Sequence, residues 1–214
     1  MALGANLLRD GPIQWGAGGQ SLLLNPRLDA ALRERILSAD FPDLPDHIWM
    51  ASSGTSGRVK IVALSRAAIE ASAAAVNRHL GVSPADRWIN PLPIFHVGGL
   101  GIVARAALSQ TPCHSVEKWS PEEFVRRAAD CGATLSSLVP AQVHDLVNAQ
   151  LRCPPSLRAI VVGGAALNES LLVRAAQLGW PLLSSYGMTE TASQVTTANT
   201  GAKDFTWLPL LDHV

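Results

Sequence analysis

Short apolar runs alternate with helical segments through the middle of this chain, and this alternation limits its fold more than any other feature. The runs have the length and composition of buried strands, and they are Trp88–Leu92, Thr134–Val139, Ala159–Val162 and Pro181–Ser185. The intervening segments predict helices, at Leu100–Leu108, Pro121–Cys131, Ala141–Ala149 and Leu167–Leu178. This order predicts an α/β fold in which parallel-rich sheets are covered by helices on both faces.

The N-terminal part follows a different pattern. An apolar residue at every fourth position predicts a helix over Arg27–Ala39, and the two prolines of Phe41–Asp46 predict a connector. Two short strands, Ile48–Ala51 and Lys60–Leu64, then enclose a loop rich in serine and glycine. A helix capped by Ser65 should follow them.

Charge and composition exclude several classes of protein. The 214 residues contain 17 basic and 17 acidic side chains with no basic stripe, which argues against binding to nucleic acid. Polar residues interrupt every apolar stretch before the ~20 residues needed to cross a bilayer, so we expect no membrane insertion and a cytoplasmic protein. Three cysteines without a Cys-x-x-Cys pair favour neither a disulfide framework nor a zinc ribbon.

The loop between the two N-terminal strands has the parts of a phosphate cradle. It offers glycines for close backbone approach, hydroxyls for hydrogen bonds and one lysine charge, at Ser52, Ser53, Gly54, Thr55, Ser56, Gly57 and Lys60. The spacing of the lysine differs from that of a Walker loop, so a P-loop kinase is disfavoured. The alternative is a flexible turn without a ligand.

Two further loops follow predicted strands, where the ligands of parallel sheets bind. Pro91–Gly99 carries His96 into a glycine-rich helix start, where the imidazole either lines a pocket or is a structural residue. Ser184–Thr191 places a phenol, a hydroxyl and a carboxylate together after a strand. Glu190 can hold Mg²⁺ bound to phosphates, because Mg²⁺ prefers oxygen ligands; the alternative is a capped helix start.

Together the three segments resemble the adenylate-forming superfamily of acyl-CoA synthetases, peptide-synthetase adenylation domains and luciferases. The first loop is similar to the superfamily's Thr-Ser-Gly-Thr-Thr-Gly-x-Pro-Lys signature, with Ser52, Ser56 and Val59 as departures. Val161–Leu167 resembles the Gly-Gly-Ala-Pro-Leu turn, and Tyr186–Glu190 matches Tyr-Gly-x-Thr-Glu. The resemblance spans roughly residues 48 to 197.

The resemblance implies ATP-dependent activation of a carboxylic acid to an acyl-adenylate and then a CoA thioester, with ATP, Mg²⁺ and CoA as cofactor and co-substrates. It implies that the first loop holds the ATP phosphates and that Lys60, His96, Thr189 and Glu190 act in catalysis, with Glu190 on the metal. It further implies a nucleotide site that, besides that loop, is made by Gly163, Gly164, Ala165, Tyr186, Gly187, Met188 and Thr189.

Within the superfamily the chain resembles the 2-succinylbenzoate CoA ligases of menaquinone synthesis most, through Gly187–Gln194, Ser137–Gln142 and Pro93–Gly99. This resemblance implies that His96, Arg105, Ser137 and Gly164 bind the acid, with Arg105 meeting its second carboxylate. A guanidinium suits a carboxylate. The alternative for Arg105 is an exposed arginine at a helix end, and the alternative for the substrate is a fatty or aryl acid.

The family's ribose-binding aspartate, hinge and late catalytic lysine follow the Tyr-Gly-x-Thr-Glu motif, whereas this chain ends at Val214. We therefore expect residues 1–46 to form an N-terminal helix and connector, residues 47–214 to form the AMP-binding core, and the C-terminal lid domain to be absent. A catalytically silent nucleotide- or acyl-binding module is the alternative to a ligase core, and a homodimer is left open.

Overall fold

The computed structural model describes residues 19–53, 59–200 and 208–211. The strands of these residues are β1 (Ser21–Leu23), β2 (His47–Ser53), β3 (Val59–Ser65), β4 (Trp88–Asn90), β5 (Cys113–Ser115), β6 (Leu135–Leu138), β7 (Ala159–Val162), β8 (Leu182–Met188) and β9 (Ser193–Thr197). Their helices are α1 (Ala30–Leu37), α2 (Arg66–His79), α3 (Val97–Ser109), α4 (Pro121–Asp130), α5 (Pro140–Asn148) and α6 (Glu169–Gln177).

The strands form two sheets. The larger has six strands in the order β5-β4-β6-β7-β8-β9, and all its pairs are parallel except β8 with β9. The smaller has the order β1-β2-β3, with β1 parallel and β3 antiparallel to β2. One sheet therefore spans the predicted boundary at residue 46, and the boundary itself stays a prediction.

Helices cover both faces of the larger sheet, as the alternation of runs predicts. On β7, Ala159 and Val161 pack toward α2 and α3, whereas Ile160 and Val162 pack toward α4, α5 and α6. Successive residues of a strand point to opposite faces, so each four-residue strand contributes to two apolar layers. The predicted α/β fold with a parallel-rich, doubly covered sheet is confirmed.

The smaller sheet is covered in the same way. On one face, Phe41 and Ile36 of α1 pack against Trp49, whose ring lies 5.0 Å from that of Phe41. On the other face, Ile48 and Met50 pack against α2 and α3. Because α2 and α3 contact both sheets, they join the two halves of the core.

Helix starts follow local chemistry closely. Ser65 and Ser120 accept hydrogen bonds from the backbone N–H groups of Ala68 and Glu123 and so begin α2 and α4 where the sequence predicts. Asp29 caps α1 in the same way, which shortens the predicted helix over Arg27–Ala39.

α3 begins three residues before its predicted start, because tertiary contact outweighs the poor helix propensity of glycine. A side chain at Gly99 would place its Cβ 2.2 Å from the carbonyl oxygen of Pro93. The Nδ2 of Asn90 donates to the carbonyl of Gly99 at 3.1 Å, which ties the end of β4 to this helix start. β4 itself ends at Asn90 rather than at the predicted Leu92, since the Asn90 side chain accepts from Leu92 N–H.

β8 runs on to Met188, three residues beyond the predicted strand. The predicted strand end at Ser185 is thus wrong, because Tyr186, Gly187 and Met188 pair with β9. A 3₁₀ turn at Thr189–Thr191 connects the two strands. β9 is absent from the prediction, as are β1 and β5, because three- to five-residue strands carry little periodicity of their own.

An ion pair between Asp86 and Arg158 lies at the amino ends of the parallel strands and connects them to the end of α2. The carboxylate of Asp86 accepts from Arg158 Nε at 2.8 Å, from Ser83 N–H at 2.8 Å and from Thr134 Oγ1 at 2.7 Å. Arg158 also donates to the carbonyl of Leu80. Burial alone would raise the pKa of the Asp86 carboxyl, but these hydrogen bonds outweigh it and hold the pKa well below its ordinary value.

Asp86→Asn should lower the free energy of unfolding at pH 7 by about 2–3 kcal/mol, because the amide cannot replace the charged contacts. A depressed carboxyl pKa stabilises the fold above about pH 4 and loses this effect as the pH falls. The penalty, measured by urea unfolding, should therefore shrink between pH 7 and pH 3. Asp130→Asn, which breaks an exposed pair with Arg126, is the control and should change stability by less than about 1 kcal/mol. An equal Asp86 penalty at both pH values would contradict this account.

Candidate functional site

The carboxyl ends of β4, β6, β7 and β8 lie at one edge of the larger sheet, because these strands are parallel. The chain passes from β4 outward to β5 and then returns to β6 on the other side of β4. Ligands of open parallel sheets bind at such a reversal, beyond the carboxyl ends. The loops after β4 and β6 therefore border the expected ligand crevice.

Buried amides hold these two loops together. The Oε1 of Gln142 accepts from Val139 N–H at 3.1 Å, and its Nε2 donates to the carbonyl of Pro91 at 3.3 Å. Gln142 opens α5 directly after β6, so one side chain joins both walls of the crevice. Gln142 ends the Ser137–Gln142 motif of the sequence, but the motif does not predict this contact.

The predicted phosphate loop connects β2 to β3. Ser52 and Lys60 are cross-strand partners, and Lys60 is exposed. Gly54, Thr55, Ser56 and Gly57 lie outside the described residues, as does the side chain of Ser53. The loop belongs to an antiparallel hairpin of the smaller sheet, so its expected place after a strand of the parallel sheet is wrong. β3 nevertheless packs against the 3₁₀ turn that carries Glu190.

A solvent-facing platform follows β7 and ends β8. Gly164 and Ala165 are exposed, and Gly164 has a φ of +88°, which favours glycine. On the neighbouring strand the side chains of Tyr186 and Met188 are 57% and 43% exposed. Ser185 Oγ donates to the carbonyl of Val162, linking the two strand ends beside Gly163. The ends of these two paired strands thus expose a phenol and a stretch of glycine backbone to solvent.

The 3₁₀ turn presents Thr189 and Glu190. Glu190 is exposed and Thr189 is half-buried. The Oγ1 of Thr191 accepts from Met188 N–H at 3.2 Å, which closes the turn without using the Glu190 carboxylate. The segment is thus a capped 3₁₀ start, as the alternative expects, but Thr191 supplies the cap and leaves the Glu190 carboxylate unused. Among the described residues no group of three metal-ligating side chains occurs, so Glu190 stands as a single carboxylate.

His96 precedes α3 without a side-chain capping bond. Its ring lies 4.7 Å from that of Phe95. The surrounding protein desolvates the imidazole and lowers its pKa below the ordinary value, so the ring is neutral at pH 7. A neutral, accessible imidazole next to an aromatic ring suits the wall of a largely apolar pocket.

Arg105 is buried, with 2% of its surface exposed, which makes the exposed helix-end alternative wrong. Its Nη1 donates to Ser137 Oγ at 3.2 Å, and its Nη2 donates to Gln194 Oε1 at 2.5 Å and to Ser193 Oγ at 3.4 Å. The structure thus joins Arg105 to Ser137, as the sequence predicts. The roles of Ser193 and Gln194 were missed, since their place beside α3 depends on β9.

Gly187 makes the contact between β8 and β9 possible. A Cβ at this position would lie 1.7 Å from the carbonyl oxygen of Ser193. The register shifts between Tyr186 and Gly187, so β9 carries an extra residue there. The pairing of β8 with β9 thus requires a glycine at this position of the Tyr-Gly-x-Thr-Glu motif.

Comparisons with known proteins show the family of this chain. The family model described as AMP-binding enzyme matches residues 42–209. The chain belongs to this AMP-binding enzyme family. Among its relatives, the 2-succinylbenzoate–CoA ligase of Bacillus licheniformis is 35% identical over 148 residues, which are 69% of this chain and 31% of that enzyme. The ligase of Lactococcus lactis is 32% identical over 166 residues, or 76% of this chain and 36% of that enzyme.

Solved structures of the family are also similar. The o-succinylbenzoate CoA synthetase of Bacillus subtilis in complex with ATP and magnesium ion has a TM-score of 0.70 and 26% identity, covering 85% of this chain and 42% of that one. The wild-type Escherichia coli enzyme, bound to an analogue of OSB-AMS, has a TM-score of 0.70 and 27% identity, covering 87% and 47%. The chain spans about a third of the length of the curated relatives above.

Gly187→Ala should lower the free energy of unfolding by about 2–3 kcal/mol, because the added methyl group forces β8 and β9 apart. Gly163→Ala is the matched control at the end of the neighbouring strand. Its Cβ would meet only the hydroxyl of Ser185 at 3.0 Å, which can turn away, so we expect a loss below about 1 kcal/mol. Chemical denaturation measures both, and equal losses would contradict the role given to Gly187.

Proposed function

We propose that this chain is the nucleotide- and acid-binding core of an AMP-forming acid–CoA ligase whose acid is 2-succinylbenzoate. The choice of this acid rests on one observation. The guanidinium of Arg105 is buried beside Ser137, on the strand where the sheet order reverses. The relatives named 2-succinylbenzoate–CoA ligase support the reaction.

In the proposed reaction a carboxylate oxygen attacks the α-phosphorus of ATP, and pyrophosphate leaves. The thiol of CoA then attacks the acyl carbon of the adenylate, forming the thioester and releasing AMP. No covalent enzyme intermediate is needed, so the protein's part is to orient the reactants and to stabilise developing negative charge. Lys60 is exposed on β3, which packs against the turn bearing Thr189 and Glu190, and this packing supports their joint action on the phosphates.

The residues of the described edge fit the nucleotide and its metal. Tyr186 and the exposed backbone of Gly164 and Ala165 suit an adenine ring. Glu190 offers one carboxylate with no hydrogen-bond partner among the described residues, which fits Mg²⁺ because this ion takes one or two protein carboxylates with substrate phosphates. When bound, Mg²⁺ neutralises phosphate charge as the phosphoryl bond changes.

In this proposal His96 and Arg105 bind different parts of the acid. The neutral imidazole of His96 lies against the acyl part, while Arg105 binds the second carboxylate at the buried end of the site, with Ser137 beside it and Gly164 leaving room at the entrance.

No helix of the described residues is long and apolar enough to span a bilayer. A cytoplasmic location, a homodimer and the lack of nucleic-acid binding remain predictions.

Arg105→Met should weaken binding of a sulfamoyl-adenosine mimic of 2-succinylbenzoyl-adenylate by about 1.5–3 kcal/mol, because it removes a charged hydrogen bond. A mimic with the same aromatic skeleton but no second carboxylate should lose much less. Calorimetric titration of the chain with each mimic measures the difference. Arg152→Met removes an exposed arginine and should leave both affinities unchanged. Equal losses with both mimics, or tighter binding of a fatty-acyl mimic, would overturn the choice of acid.

A further inference from the structure

We propose that Gln194 is a positioning residue that makes Arg105 selective for a ligand with a second carboxylate. As a neutral acceptor, Gln194 holds the guanidinium in place and leaves its positive charge uncompensated. This inference rests on the proposed function and names the residue that gives its acid site specificity.

The contact with Gln194 is the shortest that the guanidinium makes. It measures 2.5 Å, whereas the contacts with Ser137 and Ser193 measure 3.2 and 3.4 Å. The contact with Ser137 lies at the long end of the usual range for an N–H···O hydrogen bond and the contact with Ser193 exceeds it, so both are weaker than the contact with Gln194. An incoming carboxylate can therefore replace the serine hydroxyls as acceptor while Gln194 keeps its hold.

Thr197 fixes the orientation of the Gln194 amide. Gln194 Nε2 donates to Thr197 Oγ1 at 2.7 Å, so the oxygen of the amide must face Arg105. Gln194 and Thr197 are 4% and 0% exposed, so bulk solvent does not reach the amide. Thr197, Gln194 and Arg105 thus form a buried series of hydrogen bonds in which only Arg105 is charged.

The charge of Arg105 has no counterion within the described part of the chain. All three of its side-chain acceptors are neutral, and none of the salt bridges found there includes it. Burial lowers the pKa of Arg105 to about 10, which still leaves it charged at neutral pH. A desolvated cation without a counterion binds an anion more strongly than a paired one, so a glutamate at position 194 would remove this preference.

The backbone of β9 is shaped to aim both Ser193 and Gln194 at the guanidinium. Successive residues of a regular strand point to opposite faces. Here φ is +55° at Ala192 and +114° at Ser193, conformations that side chains rarely adopt, and the two neighbouring side chains reach the same nitrogen. Such strain persists where the surrounding structure holds a functional arrangement.

α3 supplies the space for this arrangement. Gly101 lies one turn before Arg105, and a Cβ there would stand 3.1 Å from Arg105 Nη2 and 3.3 Å from Ser193 Oγ. The missing side chain thus leaves a slot that the guanidinium occupies. A methyl group in this slot would press on the guanidinium and on the Ser193 hydroxyl.

The test is Gln194→Glu, which keeps the shape of the side chain and places a carboxylate against Arg105. Calorimetric titration of the 214-residue chain uses the two sulfamoyl-adenosine mimics, with and without the second carboxylate. We expect the dicarboxylate mimic to bind about tenfold or more weakly and the monocarboxylate mimic to change by less than about threefold, because only the former depends on an uncompensated cation. Gln177→Glu, an exposed change at the end of α6, adds the same net charge and should alter neither affinity.

An equal loss for both mimics in Gln194→Glu would overturn this inference and leave the proposed function standing. Failure of the wild-type chain to bind either mimic would instead contradict the proposed function itself, and the role of Gln194 with it. If Gln194→Glu does not fold, Thr197→Val decides, since valine keeps the shape of threonine but removes the hydroxyl that orients the Gln194 amide. Selective loss of the dicarboxylate mimic in that variant supports the inference, and unchanged discrimination overturns it.

Discussion

The larger sheet is apolar on both faces, and the rest of the structure depends on covering it. Ala159 and Val161 face α2 and α3, while Ile160 and Val162 face the other three helices that cover the sheet. Each connection between parallel strands must therefore cross a face as a helix and return to the same edge. This requirement brings the ends of four strands together, and with them His96, the Gly163 turn and Tyr186, which are far apart in the chain.

Most polar groups inside this apolar framework are hydrogen-bonded, although atoms such as Ser72 Oγ and Trp88 Nε1 have no hydrogen-bond partner among the described residues. Asn90 and Gln142 tie loops to their neighbours through backbone groups, which is the usual way that a buried amide is accommodated. Arg105 differs, because its partners are neutral and its Nε has none among the described residues. A charge kept in such surroundings destabilises the free protein relative to its complex with an anion. Under the proposed function, this arrangement favours the binding of an anionic ligand at Arg105.

Much of the fold and part of the site were predictable from local pattern. The strand Ala159–Val162 and the start of α4 lie where the sequence predicts, because a β-branched run and a serine cap act over a few residues. The phosphate loop, the Gly163 turn and Glu190 were found as motifs for the same reason. The start of α3 was not predictable, since two glycines there are poor helix formers and only their close contacts with Leu92 and Pro93 explain them.

The sequence by itself determined the fold class and the family, and it predicted the residues able to bind phosphate, since glycines, hydroxyls and one lysine within a short segment carry that chemistry wherever the segment lies. Only the tertiary structure decided the environment of Arg105. Sequence left it open between an exposed helix end and a buried site, and the answer depends on β9, which begins 88 residues after Arg105 and was not predicted. Burial and charge compensation are properties of surroundings assembled from distant segments, so no local pattern around Arg105 could reveal them.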